Sequence, residues 1–195
     1  MKKILITGFE PFGEEQINPS WDAVCLLPSK IGEYTLTKLL VPVVFGAAFE
    51  TVINEAKKIN PDVILCVGQA GGRSDITAEL VAINLRHATI SDNSGICPKD
   101  EPIDKEGKTA YFSTLPVRKI AKSIEDAGIP AKVSYTAGAY VCNDLLYTLL
   151  AKYENTDTKI GFIHVPYSTA QKKEPSMDIE KIVTGLTIAI ENIDG

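Results

Sequence analysis

Cys142 lies where a β-rich segment around Val133 and Tyr135 passes through a small Gly138-containing turn into an apolar helical pattern of Val141, Leu145, Leu146, Leu149 and Leu150. A thiol in the first turn of a helix feels the positive end of the macrodipole, which favours the thiolate. The thiolate is the nucleophile, so this is where a cysteine hydrolase would carry one. The plain alternative is a small buried hydrophobe opening a core helix, a common place for a free cysteine. A nucleophile of this kind needs a base, and the chain has two histidines. His164 closes a buried-strand pattern, Lys159 to His164, just ahead of the break at Pro166. Ligands gather outside the carboxyl ends of the strands in an open α/β sheet, so a strand-end imidazole can meet Cys142 there. His87, in the polar stretch Asn84 to Thr89, reads as a surface residue.

Glu79 breaks the pattern of its own segment. From Thr77 to Leu85 the residues alternate, and Glu79 shares the parity of Val81, Ile83 and Leu85, which places a carboxylate on an apolar face. Such a carboxylate is costly unless paired, and an imidazole poised to become imidazolium is one partner that needs a buried anion. A strand that starts later would leave Glu79 exposed instead. Of the four cysteines, Cys25 and Cys66 read as core residues, and Cys97 reads as exposed in a polar loop without a helix start. None forms Cys-x-x-Cys or clusters with histidine, so no metal site is expected.

Two glycine-rich turns, Gly8 to Gly13 and Gly68 to Gly72, follow strands. The first lacks the Lys-Ser/Thr of a P-loop and the second lacks the G-x-G-x-x-G spacing, so neither reads as a nucleotide cradle. A nucleoside-phosphorylase-like or other phosphate-handling α/β enzyme remains an alternative. It would want a basic cluster beside these turns, where only Arg73 is present. A non-catalytic scaffold, with Cys142 and His164 as core residues, is the other.

The elements that must position these groups alternate along the chain. Strands are predicted over 3–7, 34–43, 63–67, 77–85, 132–135 and 159–165. Helices are predicted from about 18 to 27 and over 47–59, 116–127, 141–153 and 178–192. A long polar loop spans 91–108. The pattern predicts a three-layer α/β sandwich, with a largely parallel twisted central sheet and helices on both faces. At 195 residues, 45% hydrophobic and 23% charged, the chain reads as a single catalytic domain, 1–195. A net charge of −5 argues against nucleic acid as a partner, and no stretch approaches membrane-spanning length. The short apolar run at 4–6 is a first strand rather than a signal peptide, so a cytosolic location is expected.

Several blocks together resemble the pyroglutamyl peptidase I (pyrrolidone carboxyl peptidase) family, cysteine peptidases that remove an N-terminal pyroglutamate. They are Thr7-Gly8-Phe9-Glu10-Pro11-Phe12-Gly13 with Asn18-Pro19-Ser20-Trp21, Gly68-Gln69-Ala70-Gly71-Gly72-Arg73 through Glu79 to Asn84, Thr136-Ala137-Gly138 through Val141-Cys142-Asn143, and Gly161 to Pro166. The resemblance implies a Cys–His–acid triad on Cys142, His164 and Glu79. It implies a substrate ring pocket at Phe9 and Phe12, with Asn18, Gln69 and Tyr140 nearby. It also implies no metal or other cofactor, peptides with N-terminal pyroglutamate as substrates, and a homotetramer. Three positions depart from the family pattern: Asp144 stands for a frequent His, Thr89 for Arg, and Tyr140 for Phe. An extra anion at Asp144 is expected to raise the thiol pKa.

Overall fold

The computed structural model describes residues 1–194. In chain order the elements are β1 (Lys2–Phe9), α1 (Pro19–Leu26), β2 (Lys30–Ile31), β3 (Tyr34–Val41), α2 (Ala47–Ile59), β4 (Val63–Gln69), β5 (Ile76–Glu79), β6 (Val81–Ile83), β7 (Ala110–Phe112), α3 (Val117–Asp126), β8 (Ala131–Ser134), α4 (Val141–Lys152), β9 (Lys159–Val165), β10 (Tyr167–Ser168), β11 (Ser176–Met177) and α5 (Ile179–Glu191). Among the described residues a seven-stranded sheet has the order β2-β3-β1-β4-β9-β5-β8, and β6-β7 and β10-β11 form two small ribbons.

The central strands are apolar without alternation because both faces are covered. Along β1, Ile4 and Ile6 enter one core while Leu5 and Phe9 enter the other. The first core is shared with α1, α3 and α5, through Val24, Ile120 and Leu186. The second is shared with α2 and α4, through Val52 and Leu145. This is the three-layer α/β arrangement expected. Each fully buried Ile or Leu of β1 contributes about 1.5–3 kcal/mol. α2 shows the local logic: Ala48, Val52, Ile53 and Ala56 form its buried stripe, and Asn60 ends it in the left-handed conformation at φ 48°.

Strands β3, β1, β4 and β9 run parallel. β5 then pairs antiparallel with β9, and β8 follows β5. The alternating stretch 77–85 is accordingly not one strand. β5 ends at Glu79 in the main sheet, and β6 pairs with β7 in a separate ribbon, so the period of two continues across a change of sheet. Cys25 is exposed rather than core. The eight-residue α1 buries Pro19, Ser20, Ala23 and Val24, and the next residue turns out to solvent. Cys97 is half-buried, its Sγ 3.4 Å from the Ala88 carbonyl, where exposure was expected. Among the described residues, no helix is long and apolar enough to cross a membrane.

Candidate active site

The site forms where β1, β4 and β9 end. Thr77 of β5 lies opposite His164 in the antiparallel ladder, so the next residue of that parity, Glu79, sits deeper in the sheet. Glu79 is fully buried, and its Oε1 lies 2.7 Å from Nδ1 of His164. A carboxylate accepts, so Nδ1 carries the hydrogen of a neutral imidazole and Nε2 is left as the basic nitrogen. The same Oε1 accepts from Arg73 Nη1 at 2.7 Å, and that guanidinium also donates to Thr77 Oγ1 at 2.7 Å. Burial opposes ionisation of Glu79. The hydrogen bond from His164 and the positive charge that ring carries when protonated, with hydrogen bonds from Ser134 and Arg73, together outweigh it and hold the carboxyl below its usual range. Glu79 is therefore an anion at neutral pH.

Cys142 reaches the same place by a less direct route than a shared sheet edge. β8 runs opposite to β9, and residues 135–140 carry the chain back before α4 begins. The thiol then lies over Gly68, which pairs with His164 in the β4–β9 ladder. A Cβ on Gly68 would meet Cys142 Sγ at 3.1 Å and the Phe162 ring at 2.8 Å. The absent side chain is what lets the thiol settle beside the histidine strand. Phe162 shares this face, its ring centroid 4.7 Å from that of His164.

The acidified thiol expected from the helix start is not what the surroundings favour. Burial pushes the Cys142 thiol up and the Glu79 charge pushes it further, while Arg73 and the residue's own backbone N–H pull it down by less. The resting site thus holds a thiol, and its proton leaves to the imidazole as attack occurs. Iodoacetamide is expected to alkylate Cys142 at pH 7 more slowly than a free thiol of pKa ~8.5, with the rate still rising above that pH. A rate–pH profile that levels off below neutral pH would contradict this.

Asp144 does not act on the thiol in the way its position suggested. Fully buried, it takes Arg86 Nε at 2.6 Å on one oxygen and the Gly46 N–H at 3.0 Å on the other. Its charge is spent tying α4 to the start of α2. Thr89 is exposed and outside the cavity lining. His87 is partly exposed, and its Nδ1 pairs with the exposed Asp100 at 2.8 Å.

Beside Cys142 is a small cavity of about 40 Å³, open to solvent and lined by Phe9, Phe12, Asn18, Val43, Gln69 and Tyr140. All five sequence-predicted pocket residues line it; Val43 had no local signal. Gly8 places Phe9 here, because the backbone of Trp21 lies only 2.6 Å from where a Cβ would be and α1 packs directly on β1. Tyr140 is braced by Phe45 at a centroid distance of 5.4 Å and donates to the Ser91 carbonyl at 3.0 Å. Asn18 is mainly occupied with structure: Oδ1 caps α1 by accepting from Ser20 N–H, and Nδ2 donates to the Glu10 carbonyl. In the sequence Arg73 reads only as a cation that phosphate could use, and the structure commits it to Glu79. A buried carboxylate beside one imidazole needs further compensation, and that need was the signal for it.

A family model described as pyroglutamyl peptidase matches residues 2–194. The pyrrolidone-carboxylate peptidase of Bacillus cereus (strain G9842) is 47% identical over 198 residues, spanning 98% of this chain and 92% of the relative. That of Alkaliphilus oremlandii (strain OhILAs) is 46% identical over 194 residues, spanning 96% and 91%. The crystal structure of Bacillus amyloliquefaciens pyroglutamyl peptidase I superposes with a TM-score of 0.95 at 44% identity, over 99% of this chain and 97% of that one. Pyrrolidone carboxyl peptidase from Thermococcus litoralis superposes with a TM-score of 0.94 at 37% identity, over 99% and 93%.

Proposed function

The chain belongs to the pyroglutamyl peptidase family, and from that premise we propose that it releases N-terminal pyroglutamate from peptides through Cys142, His164 and Glu79. It is a hydrolase of the cysteine-peptidase kind, and we take residues 1–195 as one catalytic domain. The observation that carries the assignment of roles is the buried Glu79 Oε1–His164 Nδ1 bond of 2.7 Å, which leaves Nε2 as the basic nitrogen of the imidazole.

Cys142 Sγ attacks the carbonyl joining pyroglutamate to the next residue, and His164 Nε2 takes the thiol proton. Glu79 stabilises the imidazolium so formed. The oxyanion lies against the first amides of α4, including that of Cys142, which have no helical partner of their own. As the C–N bond breaks, His164 passes its proton to the leaving amine and a thioester remains. Water then gives a proton to His164 and attacks; the C–S bond breaks, and the thiol regains its proton from the imidazolium.

The pyroglutamyl ring is uncharged, its amine being locked in a lactam, so a cavity walled by Phe9 and Phe12 takes it without ion pairing. Phe12→Ala is expected to act mainly through KM, because ring contact is made in ground and transition states alike. A loss of about 2–4 kcal/mol follows by analogy with buried aromatic truncations. Unchanged KM and kcat would move the ring pocket elsewhere. Cleavage of a pyroglutamyl amide, abolished by a thiol reagent, tests the reading as a whole against a phosphate-handling or scaffold role.

The active form is a homotetramer working in the cytosol, a setting that suits four unpaired cysteines. In the 91–108 loop Pro98 is buried and Ile103 half-buried within the chain, which leaves Ile96, with neighbouring Ile90, as exposed apolar groups for a second subunit to cover. Sedimentation velocity at micromolar concentration should give the tetramer mass; full activity in a single species of 21.1 kDa would contradict it.

A further inference from the structure

Gln171 closes a single 3-10 turn, Thr169–Gln171, on the rim of the site, and its amide is oriented from two sides. Its Oε1 accepts the Ser168 backbone N–H at 3.0 Å, a donor that needs an oxygen. Its Nε2 donates to Glu15 Oε2 at 2.9 Å, an acceptor that needs an N–H. Lys173 pairs with the same carboxylate and helps hold it in place. Neither contact survives a flip of the Gln171 amide. The second hydrogen on Nε2 points to Gln69, 2.9 Å away, and an N–H can be received there only by oxygen, so Gln69 must turn Oε1 toward Gln171. Its own amine is then directed away from Gln171. Gln69 lines the cavity beside Cys142, and among the described residues its Nε2 donates to no protein group.

We propose that Gln171 is a specificity-determining positioning residue: by fixing the amide of Gln69, it presents an N–H donor to the ring carbonyl of the pyroglutamyl substrate. The inference rests on the activity proposed above and names what selects its substrate. A lactam carbonyl accepts this hydrogen bond, whereas a prolyl ring has no oxygen there and would leave the donor unpaired. A site built to hydrogen-bond a substrate rejects an analogue lacking the partner far more strongly than an apolar wall does. Gln171 itself touches no reacting atom.

Two substitutions separate this role from a merely structural one. Gln171→Glu keeps an acceptor for Ser168 N–H but can no longer donate to Gln69. Gln171→Lys keeps a donor for Gln69 and Glu15 but loses the turn-closing acceptor. With a pyroglutamyl-amide substrate, Q171E is expected to raise KM on the order of tenfold, the size of one hydrogen bond, with kcat within about twofold. Q171K is expected to stay within about threefold of the wild-type KM. Iodoacetamide should alkylate Cys142 at the same rate in both variants, showing the nucleophile undisturbed. The opposite order, Q171K impaired and Q171E normal, would assign Gln171 to loop structure and overturn the proposal, as would a wild-type KM in both. Wild-type cleavage in the same assay tests the parent activity separately; its absence would refute that activity and this inference with it.

Discussion

Cys142→Ala is expected to abolish cleavage of a pyroglutamyl amide, by a factor on the order of 10⁴ or more. Replacing the nucleophile removes the covalent route altogether, and what remains is cavity binding and the oxyanion amides. The fold should tolerate the change. The side chain is only partly buried, and the smaller group sits over Gly68 where space is tight rather than lacking. Cys142→Ser should fare no better: a hydroxyl is a far weaker acid than a thiol, and burial opposes its ionisation as it does the thiol's. If an Ala variant free of wild-type contamination keeps more than a few per cent of activity, Cys142 is not the nucleophile. Cys97 would then be the candidate.

His164→Ala should be nearly as damaging, on the order of 10³–10⁴ in kcat, because the thiol is not acidified in advance and depends on the imidazole to take its proton. Glu79→Gln should lose less, on the order of 10². His164 and Arg73 both donate to Oε1, and Oε2 makes no hydrogen bond among the described residues. A glutamine can therefore keep its oxygen at the Oε1 position and set its amine at the other, preserving the tautomer while losing the charge that stabilises the imidazolium. Arg73 would then face a neutral amide, a second source of loss. Circular dichroism and thermal unfolding should show both variants folded. A Glu79→Gln enzyme with normal kcat would remove Glu79 from the machinery.

Much of this arrangement was legible from residue order alone, for reasons that can be stated residue by residue. Helices α2, α4 and α5 and strands β4 and β9 fall within a residue or two of expectation, because their apolar spacing and their Pro or Asn stops are local signals. Glu79 was identifiable because a carboxylate on an apolar face demands a partner. The antiparallel turn of β5 was not, since direction depends on pairing with β9, far away in sequence. The same holds for Gly68, whose missing side chain matters only once α4 lies across it, and for Gln171, whose amide is informative only beside Glu15 and Gln69. Cys25 was misplaced because one step around a short helix separates core from solvent. The thiol's pKa was misjudged because the helix terminus is visible in sequence, whereas burial and the approach of Glu79 are not.

The central claim is that cleavage runs through the Cys142 thiol, and alkylation mapped by mass spectrometry tests it most directly. The enzyme would be treated with iodoacetamide at mildly alkaline pH, sampled over time, assayed on a pyroglutamyl amide and digested to locate the label. Residual activity should fall in proportion to unmodified Cys142, whatever the labelling of exposed Cys25, and a pyroglutamyl ligand filling the cavity should slow both together. Activity that persists when Cys142 is fully alkylated, or that is lost in step with Cys97 instead, would contradict the account.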